Sequence, residues 1–143
     1  MGSPRLRKIA KIVCAGLGCP EAELSIVITD DVAIRHLNCV WRHKDKSTDV
    51  LSFAQTAGEM PVQGQGGSIL LGDVVISQET AARQAARSER TFDEEIRRLL
   101  VHGILHLLGH DHVHGGRQAR RMRLEEERLL RLLEERLPSE DTP

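Results

Sequence analysis

His102-Gly103-Ile104-Leu105-His106-Leu107-Leu108-Gly109-His110-Asp111-His112 places three histidines at the spacing His-x3-His-x5-His, with a glycine between the second and the third. From Leu99 to Leu108 the chain is apolar nearly all round, which reads as a buried, central helix. Histidines four apart project from one helical face about one turn apart, so His102 and His106 can share one ion. Gly109 can take the positive φ that ends the helix, and the chain then brings His112 back as a third ligand. Three neutral imidazoles leave a tetrahedral ion one open position, the arrangement of a catalytic site and not of a closed structural one. One zinc ion per chain is the expected cofactor, although imidazole also accepts nickel, copper or iron.

The metzincin protease pattern H-E-x-x-H-x-x-G-x-x-H has the same ligand and glycine spacing. Position 103 is Gly, however, so the general base that activates water in those proteases is missing. This points to the same metal geometry put to different chemistry. The plainer alternative is a set of core or loop histidines. Against it stand the register of the three and the need of two buried imidazoles on one face for partners.

A chain of 143 residues is expected to form one domain, over residues 1–137, with a polar tail at 138–143. The net charge of −1 excludes a globally basic nucleic-acid binder, so any RNA or DNA contact has to come from local patches and to be modest and salt-sensitive. Cys14, Cys19 and Cys39 are odd in number and form no Cys-x-x-Cys pair, which fits thiols in a reducing compartment. No segment is apolar and long enough to span a membrane, and charge follows Met1-Gly2-Ser3-Pro4 where a signal peptide would have its core. The expected location is cytoplasmic, with no membrane partner. Trp41, Phe53 and Phe92 are the only aromatics, so base stacking cannot be the main mode of recognition.

Around the histidine helix, Leu6, Ile9, Ala10 and Val13 are at helical spacing, and Leu24 to Thr29 reads as a strand. Asp30 or Asp31 can cap a helix through about Val40, with Ile34, Leu37 and Cys39 or Val40 inward. Asp49 to Phe53 and Ile69 to Ile76 are further strands, and Gly72 within the latter predicts a bulge or close backbone approach. Between them, Gly58 to Gly67 reads as a glycine-rich loop. Ser77 caps a helix through about Arg87, and Thr91 with Glu94 forms a capping box for the histidine helix. A final helix over Gly115 to Leu137 carries Met122, Leu129 and Leu133 on one stripe, and its dense charges read as a solvated face. The order predicts an α/β (α+β) fold: a small mixed sheet of about three to four strands, about five helices, and a three-histidine metal site at the end of a central helix.

A second cluster, Leu37-Asn38-Cys39-Val40-Trp41-Arg42-His43-Lys44-Asp45-Lys46-Ser47-Thr48-Asp49-Val50-Leu51-Ser52-Phe53, gathers cations between a helix end and a strand. Alone it reads equally well as a solvated basic loop with a structural Arg42–Asp49 pair. Beside a metal it gains meaning, because phosphodiester cleavage needs a cation on the developing charge and arginine supplies one in a planar fork.

Together, Leu37 to Phe53, Leu71-Gly72-Asp73-Val74-Val75-Ile76-Ser77 and His102 to His112 resemble the YbeY family of bacterial metal-dependent endoribonucleases. That family acts in ribosomal RNA maturation and ribosome quality control. Met122 and Glu126 echo a pattern in its last helix, and the resemblance covers about residues 24 to 133. It implies His102, His106 and His112 as zinc ligands and Arg42 as the functional arginine, acting on single-stranded RNA and ribosomal RNA, with ribosomal particles or proteins as further partners. Two features depart from the family pattern. The chain starts almost directly at the first helix, without the usual preceding strand, so a smaller sheet or a shortened N-terminus is expected. His110 stands where the family often has an aromatic, and it adds a group that titrates near neutrality or competes as a ligand.

With no glutamate after His102, water activated by the ion has to act as nucleophile or base itself in hydrolysis or transesterification. Lys44, Lys46, Arg83 and Arg87 are candidates to track the RNA backbone. Asp73 and Asp111 read as either supports of the ligands or turn residues, and Thr48, Asp49 and Ser52 as setting loop and strand geometry. The rival readings are a non-catalytic ribosome-assembly factor with a structural zinc, and a metal-dependent esterase or peptidase.

Overall fold

The computed structural model of the chain describes residues 4–57, 60–63, 69–109 and 116–138. Along the chain run α1 (Pro4–Gly16), β1 (Ala22–Thr29), α2 (Asp31–Arg42), β2 (Val50–Ala54), β3 (Thr56–Ala57), β4 (Met60–Gln63), β5 (Ile69–Ser77), α3 (Gln78–Arg87), α4 (Phe92–Leu107) and α5 (Gly116–Arg136). The expected mixed sheet with five helices is present. β5 is its centre, parallel to β1 on one side and antiparallel to β2 on the other. β4 pairs with the first residues of β5 and with β3, so residues 60–63 are strand where the glycine-rich stretch predicted only loop. The hydrogen bonds that make this strand come from distant segments, and four residues among glycines carry no periodicity to announce it.

Gly72 explains how two strands share one edge of β5. Its φ is +141°, and a Cβ there would lie 2.1 Å from the carbonyl oxygen of Phe53, so only glycine fits. At the same place the pairing with β1 jumps from Glu23–Leu70 to Leu24–Gly72, a bulge that leaves Leu71 unpaired. The slip matters to the core. Val74 and Ile76 share a face by strand alternation, and the extra residue brings Leu71 onto that same face.

That face meets α1, α4 and α5 through Ile9, Val13, Leu99, Leu100, Ile104, Met122, Leu129 and Leu133, all essentially solvent-free. The opposite face holds a smaller cluster in which Ile34 and Leu37 of α2 cover Val75, Leu51 and Phe53. With both faces covered, Val74, Val75, Ile76 and Ser77 are all buried, which accounts for an unbroken run without polar alternation. α4 touches β2, β5, α1, α3 and α5, so its apolar residues are spread round the whole helix. Removing any one of its fully buried leucines to alanine would cost about 2–5 kcal/mol.

The caps fall where the sequence puts them. Asp30 accepts from the Ala33 N–H at 2.8 Å, and Thr91 and Glu94 exchange both bonds of a capping box. Ser77 caps α3 and also donates to Asp31 Oδ1, which receives the Thr80 hydroxyl as well, while Arg83 bonds Asp31 Oδ2 at 2.7 Å. These donors, the Ser77 hydroxyl foremost, hold the Asp31 carboxyl down at about 2. Among the described residues no helix is long and apolar enough to cross a membrane.

Candidate functional site

α2 ends at Arg42 because His43 adopts the left-handed conformation, with φ 59°. From there the His43 and Lys44 N–H groups return to the carbonyls of Cys39 and Asn38. Asn38 is buried, and its side-chain amide donates to the Lys46 carbonyl at 2.9 Å, tying the following loop back to the helix. The expected inward position of Cys39 or Val40 is therefore corrected. Both are exposed, and the inward place at this turn belongs to Asn38. Its amide satisfies a loop carbonyl that an apolar side chain would leave without a partner. Arg35 and Asp45, 2.8 Å apart, add an exposed ion pair across the same loop. The ladder between Asp49 and Ser77 then delivers the chain into β2.

On α4 the two histidines lie as their spacing predicts. Their Nε2 atoms are 3.0 Å apart and their ring centroids 4.5 Å apart. A tetrahedral ion at about 2.0–2.1 Å from each nitrogen separates its ligands by about 3.3–3.4 Å, so the pair is close to chelating geometry. His102 Nδ1 lies 2.7 Å from Glu126 Oε2 of α5. Donation from Nδ1 to that carboxylate leaves the lone pair on Nε2, the nitrogen turned to His106, as in carboxylate–histidine–metal arrangements. Glu126 is a candidate site residue whose contact with His102 the sequence reading missed. It stands four residues after Met122 and three before Leu129, on the buried stripe of α5, and a carboxylate on an inward stripe is the signal that could have found it.

Gly103 has a reason of its own. It is buried against the sheet, where a Cβ would come within 2.7 Å of Val74 Cγ1 and 3.2 Å of Ser52 Oγ. The Ser52 hydroxyl donates to the Gly103 carbonyl at 2.9 Å. Position 103 thus faces β2 and β5, and the missing glutamate is a close helix-to-sheet contact. α4 then ends beyond Leu107, and Gly109 takes φ +93° as expected.

Arg42, His102 and His106 line one cavity of about 460 Å³, with Thr48, Asp49 and Ser52 along its side. The Arg42 guanidinium is held by the Ser52 carbonyl and lies 5.2 Å from the centroid of the Phe53 ring. β2 thus orients the arginine from one side and supports α4 from the other through the same Ser52. Asp49 serves the loop: its Oδ1 accepts the Val50 N–H at 2.7 Å. Lys44, Lys46 and Asp73 are not part of the cavity lining, whereas Arg83 and Arg87 line a neighbouring one. His110, Asp111 and His112 lie outside the described residues. Among the described residues no group of three or more metal-binding side chains is gathered, and two imidazoles converge. Two imidazole nitrogens, with a carboxylate behind that of His102, suit a borderline metal such as zinc.

Comparison with known proteins matches residues 4–134 to the family described as Endoribonuclease YbeY. The chain is 45% identical over 135 residues to a protein of that name from Geobacter metallireducens, covering 94% of this chain and 88% of the relative. A second of the same name, from Aquifex aeolicus, is 50% identical over 119 residues, covering 83% and 75%. In structure the chain is similar to the solution structure of TM1509 from Thermotoga maritima, with a TM-score of 0.66 and 21% identity over 99% of this chain and 93% of that one. The last likeness concerns the fold alone.

Proposed function

Since the chain belongs to the YbeY endoribonuclease family, we propose that it is a single-strand-specific, metal-dependent endoribonuclease that works on ribosomal RNA in its maturation and in ribosome quality control. The observation that carries the reading is the meeting of two converging imidazoles and a guanidinium on the wall of one open cavity. His102, His106 and His112 hold the ion, zinc by the nature of the ligands. Once bound, it supplies Lewis-acid polarisation of a phosphoryl oxygen and a water of lowered pKa.

The chain's own residues do the rest. Glu126 keeps the His102 proton on Nδ1, so that Nε2 stays available as a ligand. Arg42 carries five N–H donors in a planar fork, of which the Ser52 carbonyl engages Nη2. The others meet the phosphate and the charge that develops on it. Phe53 and Ser52 hold that fork in place before substrate arrives, which reduces the ordering cost of binding. The three free cysteines suit a reducing cytoplasm.

Arg42→Ala tests the reading. It should remove most cleavage of single-stranded RNA, on the order of a hundredfold or more for a lost contact to transition-state charge, with zinc content and thermal unfolding near the parent's. Arg42→Lys should recover part, since the charge returns without the fork. An Arg42→Ala protein as active as its parent would leave the metal site without a phosphate-processing role.

A further inference from the structure

A second cavity, of about 340 Å³, adjoins the first, and Thr48 and Asp49 line both. Its far wall is α3, which contributes Arg83, Gln84 and Arg87. The two arginines are four residues apart, so they project from one side of the helix a turn from each other. Arg83 Nη2 donates to Asp31 at 2.7 Å and to Thr80 at 3.0 Å, which steadies the guanidinium while half of the side chain stays exposed. Arg87, in the last turn of α3, is exposed.

Two further observations bear on what fits there. Gln84 lines the recess as well, and a side-chain amide offers N–H donors to a phosphate oxygen. Among the described residues no aromatic side chain lines the cavity, so a base has no platform there on which to stack. The Asp49 carboxylate on the shared wall is already engaged by the Val50 N–H.

We propose that this second cavity is a phosphate subsite for the nucleotide next to the one cleaved, with Arg87 and Arg83 gripping its backbone phosphate. The inference rests on the ribonuclease reading above. A single strand then lies across the Thr48–Asp49 wall, one phosphate at Arg42 and the histidines and the next against α3. Two grips on successive phosphates fix the register of the strand.

Cleavage of a long unstructured RNA by Arg87→Gln, measured against salt, tests the subsite. KM should rise about five- to tenfold, and the slope of log kcat/KM against log salt should become shallower by about 0.7, the share of one phosphate contact on a single strand. Arg87→Lys should restore most of the KM and the slope. Because Arg87 is exposed, unchanged far-UV circular dichroism and zinc content are expected of both variants. Parent-like KM and salt slope in Arg87→Gln would overturn the subsite, as would a loss confined to kcat. A parent protein that cleaves no RNA would instead overturn the ribonuclease reading and the subsite with it.

Discussion

Replacing Gly103 by alanine adds one methyl group at the contact between α4 and the sheet. In a helix interior the change by itself favours folding by about 1 kcal/mol. The new Cβ, however, would stand 2.7 Å from Val74 Cγ1, and ordinary contact begins at 3.4 Å, so about 0.7 Å of separation has to be found. Val74 is fully buried and β-branched, with little rotamer freedom to give way. Overpacking of this kind costs about 1–3 kcal/mol, which leaves a net loss of up to about 2 kcal/mol. For a domain of this size that lowers Tm by several degrees. The displacement also lifts α4 from Ser52, and so moves His102 and His106 relative to Arg42. Misplacement by this much costs roughly ten- to a hundredfold in rate. Gly103→Glu should do worse, since its carboxylate would be driven into the helix-to-sheet contact instead of acting as a base. Thermal unfolding and single-stranded RNA cleavage, with zinc content measured alongside, check both variants. Gly103→Ala with raised Tm and full activity would refute the close-contact argument, and a more active Gly103→Glu would refute the claim that the position faces away from the chemistry.

Glu126→Gln should weaken zinc affinity about ten- to a hundredfold with the fold retained, because the amide no longer enforces Nδ1 protonation on His102; competition with a zinc chelator measures it, and unaltered affinity would count against the pairing. Asp31 has a carboxyl held at about 2, against an ordinary value near 4, by Ser77, Thr80 and Arg83. A depressed folded-state pKa stabilises fully above the unfolded value and is lost as pH falls through the folded one, so this contribution disappears between about pH 4 and pH 2. Asp31→Asn should lower Tm at neutral pH and make the decline of Tm over that window shallower than in the parent.

Local signals carried far. Ser77, Thr91 and Glu94 announce helix starts through short-range hydrogen bonds, and the Met122, Leu129 and Leu133 stripe fixes the face of α5. Gly72 marks a close approach because no other residue fits there. What stayed hidden depends on which segments meet. Glu126 pairs with a histidine 24 positions away, and the alignment of α4 against α5 that brings them together is set by tertiary packing. The β4 strand exists only because β5 and β3 offer their edges. Asn38 was overlooked as an inward residue because its partner is a main-chain carbonyl eight residues on. On the site itself, the histidine spacing foretold the convergence of His102 and His106. The placement of Arg42 beside them needed β2, whose Ser52 and Phe53 hold the guanidinium.

X-ray absorption at the zinc edge of the zinc-loaded protein puts the ligand set of His102, His106 and His112 to the most direct test. One ion per chain with three imidazole nitrogens at about 2.0–2.1 Å and a single light oxygen ligand is the predicted result, falling to two imidazoles or to no bound ion in His112→Ala. A fully protein-ligated ion with no oxygen position, or a spectrum unchanged by His112→Ala, would contradict it.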